Sequence, residues 1–210
     1  MKKLNYLLII LITLLYNSSI YSQTEEVESY YNEICANAEH NGEKIPSRYK
    51  KDIKIYQTGD ISDELLSELN RIIVELNDLI EDVDVRLVNH IDSSNIYLFF
   101  GGGEEFLNSL DEPQRTKDWR SLFMKNNWGC FWILESGTSI ISSKVFIDTD
   151  RCKQLVRQKH LLREELTQSL GFPNDSYEYE DSIFQQKWTE VTEYSDLDRE
   201  IIKLHYLSQK

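Results

Sequence analysis

The sequence predicts an α+β domain in which a mixed, twisted sheet is backed by helices. Short stretches of alternating apolar and polar residues, bounded by turn-forming residues, recur along the chain and indicate strands. Longer stretches with an apolar residue every three or four positions indicate helices. From residue 51 onward these patterns give a strand, a helix, several strands, a helix, a loop and a final helix.

The first strand and the first long helix carry the clearest signals. Residues 53–56 alternate as a strand does, and a Thr-Gly-Asp turn at 58–60 ends them. Ser62 follows, where its hydroxyl can cap a helix with two acidic residues in its first turn. An apolar stripe runs along about five turns of that helix: Leu65, Leu69, Ile72, Leu76 and Leu79.

More strands follow, and a charged segment separates them. Residues 84–88 and 95–100 are predicted strands. Residues 104–127 are rich in charge and are predicted to be irregular, as the rim of a cleft or the edge of the sheet. Residues 129–135 and 139–148 then form two further predicted strands around a Ser-Gly-Thr turn.

Two helices separated by a loop are predicted in the last third of the chain. The first covers residues 152–170, because Gly-Phe-Pro at 171–173 is a typical helix stop. Residues 174–194 are acidic and loop-like. The final helix covers residues 195–207, and its Ser-x-x-Asp start resembles a capping box.

The N-terminal 50 residues differ from the rest of the chain. Residues 1–22 combine two lysines, an apolar stretch at 4–16 and a small residue, Ser22, after which we expect a secretory signal to be cleaved. An uncleaved anchor stays open as an alternative, although a bilayer core needs about 20 apolar residues. Residues 23–50 are predicted to form a loosely ordered arm with a short helix, and residues 51–210 a single domain.

Acidic residues outnumber basic ones in this chain, 36 to 23, and the formal net charge is −13. A surface of this sign repels phosphate backbones and anionic membranes, so we expect no nucleic-acid partner. We expect export across the inner membrane to the periplasm or the extracellular space, with no membrane association after cleavage of the signal.

The chain has three cysteines, which an oxidising compartment can pair. Cys130 and Cys152 bracket a predicted hairpin and the start of a helix, and we predict a disulfide between them. Cys35 is then free or paired outside the chain. The sequence has no Cys-x-x-Cys spacing, so a cysteine-based zinc site is not indicated.

Helix 152–170 carries the residues most able to do chemistry. At about 100° per residue, His160, Glu164, Gln168 and Gly171 share one face of this helix, while leucines from 155 to 170 occupy the other. Glu164 and Gln168 lie one turn apart, so their side chains can converge on one ligand. A plain amphipathic helix with an exposed charged face is the alternative.

This segment resembles the zinc-binding helix of metzincin-type peptidases, in which His-Glu-x-x-His is followed by a helix-ending glycine. In the resemblance Glu164 and Gln168 take the positions of the two histidines. Glu165 takes the position of the catalytic general base, and Gly171 matches the turn.

The resemblance continues downstream of the helix. Asn174 takes the position of the third zinc ligand, with Asp175 and Ser176 directly after it. Residues 181–184 resemble the turn that underlies the metal in matrixins, with Phe184 where those enzymes place a methionine. The final helix is also similar to theirs.

The chain more closely resembles a bacterial exported family, the domain of unknown function numbered 2927. Its members look like matrixins in which Glu-Glu-x-x-Gln replaces His-Glu-x-x-His. The resemblance covers residues 120–207 well, and residues 50–120 only through the order of the elements. It implies a zincin-like fold with an active-site-type helix, a cleft and a C-terminal helix.

The substituted ligands change what the site can bind. Imidazole is a good ligand for zinc, whereas the amide of Gln168 is a poor one. An oxygen-only set suits Ca²⁺ or Mg²⁺ better, so we predict no zinc cofactor and leave an oxygen-ligated cation open. A metal pair of His160 and Glu164 is a further alternative to His160 as an ordinary surface residue.

Three functions are compatible with these residues. The one we favour is a non-catalytic domain that binds a peptide or an envelope protein along the cleft, where Trp128 and Trp188 are candidate lining residues. The alternative is an atypical metallopeptidase or carboxylate-dependent hydrolase that uses Glu165. A structural role is compatible with the first: a polar network of Glu164, Gln168 and Asp175 would hold the helix to the tail.

Overall fold

Five strands form a mostly parallel sheet in the computed structural model of the chain, which describes residues 25–35, 46–110 and 116–207. The sheet order is β2-β1-β3-β5-β4, and only β4 runs antiparallel to its neighbour, β5. The predicted signal at 1–22 lies outside the described residues. The strands are β1 Ile53–Gly59, β2 Val85–Leu87, β3 Ile96–Gly101, β4 Gly129–Ser136 and β5 Ser139–Asp148.

Helices cover both faces of this sheet. They are α1 at residues 25–35, α2 Asp63–Leu79, α3 Gly103–Ser109, α4 Lys117–Asn126, α5 Leu155–Gln168 and α6 Asp196–Tyr206. The predicted mixed sheet backed by helices is confirmed. Among the described residues, no helix combines the length and the apolar character needed to cross a bilayer.

The two predicted helix caps are formed. The Ser62 hydroxyl accepts a hydrogen bond from the backbone N–H of Leu65, 3.2 Å away, at the start of α2. At the start of α6, Ser195 and Asp198 form the reciprocal capping box. Local sequence therefore defines where both helices begin.

Alternation along the strands creates two separate cores. In β3, Ile96, Leu98 and Phe100 face the main core, which α2, α5 and α6 cover. Phe99 points to the other face, where a smaller aromatic core lies. Side chains of opposite parity on one strand thus belong to different cores.

The segment 104–127, predicted to be irregular, contains most of α3 and all of α4, so that prediction was wrong. Phe106 and Phe123 anchor these helices in the smaller core, and the ring of Phe106 stacks 4.6 Å from that of Phe146. The Thr116 hydroxyl caps α4 by accepting from the backbone N–H of Trp119. A small number of buried residues is enough to hold these charged helices on the sheet, because those residues are large and aromatic.

The described part of the predicted loose arm is packed against the domain. Tyr30 and Ile34 of α1 are buried in the main core, and so is Cys35. The hydroxyl of Tyr30 contacts Ser182 and lies 3.5 Å from the carboxylate of Asp198. Long-range contacts therefore order this helix.

The predicted disulfide between Cys130 and Cys152 is not formed, and all three cysteines are free thiols. Cys130 lies on β4 opposite Phe146 and packs on the smaller aromatic core. Cys152 is buried in the main core, on the other side of the sheet. The sheet therefore keeps the two thiols apart, and Cys35 also lies in the main core.

The segment between α5 and α6 is irregular but closely packed. Ser182, Ile183 and Phe184 are fully buried. The carboxylate of Asp198 accepts hydrogen bonds from the Ser182 hydroxyl at 2.7 Å and from the Ile183 backbone N–H at 3.2 Å. The N-terminus of α6 thus fixes the turn at 181–184, and we refer to residues 174–194 as the tail.

Candidate functional site

The helix α5 is buried on more sides than an amphipathic surface helix would be. His160, Glu165 and Gln168 are only 2%, 8% and 5% exposed. Leu155, which the helical wheel places on the apolar face, is 38% exposed. The reading of α5 as an exposed helix with a charged outer face was wrong, because β4, β5, α2 and the tail enclose it.

A buried arginine holds α5 in place, and sequence analysis missed it. Arg163 is fully buried and donates hydrogen bonds to Glu75 at 2.8 Å and to Glu68 at 2.9 Å, both on α2. Its guanidinium lies 4.4 Å from the ring centre of Tyr194 in the segment before α6. Breaking a buried ion pair is strongly destabilising. The ion pairs of Arg163 with Glu68 and Glu75 therefore hold α5 in a fixed orientation against α2.

Two of the predicted site residues meet at the end of α5. The amide nitrogen of Gln168 donates a hydrogen bond to the carboxylate of Asp175, 2.6 Å away. Gly171 makes this return of the chain feasible, since its φ of +119° is one that residues with a side chain rarely adopt. A Cβ at Gly171 would also overlap the carbonyl oxygen of Ser47.

The position of the third zinc ligand in the resemblance faces another partner. The side-chain amide of Asn174 donates to the carbonyl of Glu33 at 3.0 Å, and its backbone N–H donates to the carbonyl of Ile34. Both partners belong to α1. Asp175, rather than Asn174, therefore lies beside Gln168.

Ser176 and Phe184 form contacts that stabilise the tail. The backbone N–H of Ser176 donates to the carbonyl of Phe184 at 2.7 Å, and the Ser176 hydroxyl accepts from the N–H of Glu178. Phe184 is fully buried, with its ring 5.6 Å from that of Phe172. These two predicted site residues have structural contacts.

His160 and Glu164 are in contact, as their spacing of one turn allows. Nε2 of His160 lies 3.3 Å from a carboxyl oxygen of Glu164. Nδ1 lies 2.7 Å from the carbonyl oxygen of Val191, which can only accept, so Nδ1 carries the hydrogen. Burial lowers the pKa of His160, and the neutral ring then presents an accepting Nε2 to Glu164.

Glu165 is the most isolated carboxyl of the site. Its carboxyl packs over Gly129, where a Cβ would come within 2.6 Å of Oε1. Among the described residues, it forms no hydrogen bond or ion pair with another side chain or backbone group. It is nevertheless 8% exposed and borders a cleft.

Burial raises the pKa values of three acidic groups at this site, and neighbouring acids add to the rise at two of them. Burial first, and then Asp175, raise the pKa of Glu164 from 4.5 to about 8. Burial, followed by the charges of Glu164 and Asp175, raises the pKa of Glu165 well above its ordinary value. Burial also raises the pKa of Asp175, although the hydrogen bond from Gln168 opposes this.

A cleft of about 400 Å³ opens beside Glu164 and Glu165, between α5, the start of β4 and the tail. Trp128 and Trp188 stand at its mouth with their ring centres 5.7 Å apart, edge to face. They were candidates from sequence, whereas the roles of Gly129 and Arg157 were not foreseen. The lining includes Asn126, Trp128, Arg157, Glu164, Glu165 and Trp188.

The zinc ligands implied by the resemblance do not fit this arrangement. Gln168 is committed to Asp175, and Asn174 is bonded to α1. In the described part of the chain, no three His, Cys, Asp or Glu side chains are grouped so that they could hold a metal ion. His160 and Glu164 meet as a pair only.

Comparison with known protein families shows which family the domain belongs to. The family whose model matches residues 24–209 is described as a protein of unknown function, DUF2927. The chain belongs to this family. The DUF2927 match begins before α1 and extends past α6, so it includes the packed N-terminal helix. No curated protein matches the chain.

Proposed function

We propose that this DUF2927 protein is an exported, zincin-like domain without catalytic zinc, which binds a peptide segment of an envelope partner in the cleft. The observation that carries the proposal is the cleft itself, which joins an exposed pair of tryptophans to a buried acidic floor. The order of elements and the glycine turn after α5 support the zincin-like fold.

The edge strand beside the cleft supports a peptide ligand. β4 is the last strand of the sheet, with β5 on its inner side. An extended peptide can add to such an edge through backbone hydrogen bonds and place alternate side chains in adjacent pockets. The cleft lies at the first residue of β4, Gly129, so a peptide along this edge would reach it.

The two tryptophans support recognition of a partner. Trp128 is 38% exposed and Trp188 is 47% exposed. Tryptophan is enriched in interfaces because it supplies a large apolar area together with one hydrogen-bond donor. A pair of them at the mouth of a cleft is therefore a favourable place to anchor a peptide side chain.

Hydrolysis is the second candidate, and the raised pKa values favour it. Carboxyl groups with strongly shifted pKa values that border a cleft are typical of acid–base catalysts. However, Glu165, at the base position of the metzincin resemblance, has no partner among the described residues that would orient it, and the residues at the zinc-ligand positions do not converge. An activity screen on casein and on glycan substrates with Glu165→Gln as control decides the matter, since equal activity in the variant removes Glu165 from catalysis.

A peptide selection tests the binding proposal. Random peptides displayed on phage are selected on the immobilised protein and then titrated by calorimetry into wild type and a Trp128→Ala/Trp188→Ala variant. We expect binding to wild type and at least about tenfold weaker binding to the variant. Tyr177→Ala, which removes an exposed aromatic residue of the tail, is the control.

Two results would contradict the proposal. One is a selection that yields no peptide, or peptides that bind wild type and the double tryptophan variant equally. The other is stoichiometric zinc in protein purified without chelators, measured by plasma mass spectrometry, which would restore the peptidase reading.

A further inference from the structure

The floor of the cleft carries carboxyl groups that lack a cationic partner. Glu165 is more than nine-tenths buried, borders the cleft and is unpartnered among the described residues. Among the described residues, the ion-pair partner of Glu164 is His160, and burial lowers the pKa of that imidazole and so favours its neutral form. The third acid, Asp175, does not line the cleft and accepts a hydrogen bond from the uncharged amide of Gln168. The site therefore holds ionisable carboxyl groups without a counter-charge, and a cation that binds beside them stabilises their ionised form.

The arginines nearest the cleft, including Arg157 in its lining, are already paired with acidic residues that do not line it. Arg157 forms an ion pair with Glu190 at 3.3 Å, and Arg151 forms one with Asp148 at 2.5 Å. Arg163 points away from the cleft into the interface with α2. None of these three guanidinium groups neutralises Glu164 or Glu165.

The walls of the cleft are suited to an organic cation. Indole rings attract cations over their faces within about 6 Å. Both rings already do so with residues of the chain: Arg157 lies 5.5 Å from the centre of Trp188, and Arg151 lies 5.6 Å from that of Trp128. The cleft volume of about 400 Å³ lies within the range of roughly 300–1,000 Å³ that holds small ligands.

We propose that the cleft selects a basic side chain, lysine or arginine, of the bound peptide. Its charged end reaches Glu164 and Glu165, and its apolar stem packs against the edges of Trp128 and Trp188 that border the cleft. This inference rests on the proposed peptide-binding function and names its specificity. An organic cation fits better than a metal ion, because a metal needs several converging ligands and the described residues present no such group.

Blocked single amino acids test the preference for a basic side chain without the rest of the peptide. Nα-acetyl-arginine amide and Nα-acetyl-lysine amide are titrated into the protein, alongside the neutral isosteres Nα-acetyl-citrulline amide and Nα-acetyl-norleucine amide. Binding is followed by the NMR shifts of the tryptophan indole N–H groups. We expect each basic amide to bind at least tenfold more tightly than its isostere.

Two isosteric variants connect this preference to the floor of the cleft. Glu165→Gln and Glu164→Gln each remove one carboxyl that a bound cation can ionise and keep the shape, and both are expected to weaken the basic amides at least tenfold. Glu200→Gln, on the exposed face of α6, is the control and should bind as wild type does. Melting curves confirm that each variant is folded before it is titrated.

The outcomes separate this inference from the proposed function. Equal binding of basic and neutral amides, or no binding of the basic ones, overturns the inference. If selected peptides still bind through the cleft in that case, the proposed function stands; if they do not, both fail. Ca²⁺, Mg²⁺ or Zn²⁺ that binds the cleft and excludes the basic amides also overturns the inference, in favour of a metal site.

Discussion

The raised pKa of Glu164 predicts that this protein loses stability as the pH rises from acid to mildly alkaline values. In the unfolded chain the carboxyl titrates near its ordinary value of 4.5, whereas in the fold the pKa is about 8. Its stabilising contribution is therefore complete below pH 4.5 and is lost progressively as the pH rises through about 8. Folding favours the protonated form, because burial and Asp175 oppose the charge.

The size of the effect follows from the difference between the two pKa values. One pKa unit corresponds to about 1.4 kcal/mol, so a rise from 4.5 to about 8 sets an upper limit of about 5 kcal/mol. At pH 7 the loss already amounts to about 3 kcal/mol by the same reasoning. Glu164→Gln removes this titration and keeps a group that can donate to Nε2 of His160.

The assay is urea denaturation at several pH values between 4 and 9. We expect Glu164→Gln to match wild type at pH 4 and to exceed its free energy of unfolding by about 3 kcal/mol at pH 7. The difference between the two proteins reports the charge of Glu164 together with its coupling to Glu165 and Asp175, whose own burial is the same in both. Glu200→Gln is the control and should follow wild type. Parallel curves for wild type and Glu164→Gln would refute the reasoning.

Three further predictions follow from contacts of the site. Gln168→Ala leaves a carboxyl of Asp175 without its donor and should lower the free energy of unfolding by about 1–3 kcal/mol, measured by denaturant titration; an unchanged value would contradict this. Gly129→Ala brings a Cβ against Glu165 and should lower the free energy of unfolding by about 1–3 kcal/mol. Glu165→Ala in the same chain should recover most of that loss of stability. If the losses of the two substitutions simply add, the two residues do not touch. A thiol reagent should find three free cysteines after unfolding in denaturant and few in the native protein, since burial raises the pKa of Cys35 and Cys130 and Cys152 is buried; a count of one would restore the disulfide.

Local signals in the sequence predicted the elements that local interactions stabilise. Ser62 and Ser195 cap their helices as predicted because a cap needs only residues three positions away. The strand positions followed from alternation alone. The order of strands in the sheet did not, since pairing such as that of β3 with β5 joins residues about 47 positions apart.

The errors arise where distant contacts decide the structure. α1 was predicted to be loose because its polar sequence does not reveal that Tyr30 reaches Ser182. The charged segment 104–127 folds because Phe106 meets Phe146, which is remote in sequence. The disulfide prediction considered only how close the two cysteines are along the chain. It did not consider which face of the sheet each one lies on. Cys130 is on the same face of β4 as Trp132, whereas Cys152 is buried in the main core on the opposite face.

The candidate site divides in the same way. The helical spacing of Glu164 and Gln168, and the glycine turn that returns Asp175, are local and could be predicted from sequence. The cleft could not, because Gly129 and Trp188 reach Glu165 from different parts of the chain. A glycine at the start of a strand beside a tryptophan was the one available signal, since such a glycine often marks a close approach of another group.

The Asp198 carboxylate has a consequence for how the protein is made. It accepts hydrogen bonds from Ser182, Ile183 and Ser195, so the segment that carries Trp188 depends on a helix that follows it in the chain. During synthesis the mouth of the cleft cannot form until α6 has left the ribosome. A chain whose translation stops before α6 would therefore form its sheet without placing Trp188 beside Trp128 at the mouth of the cleft.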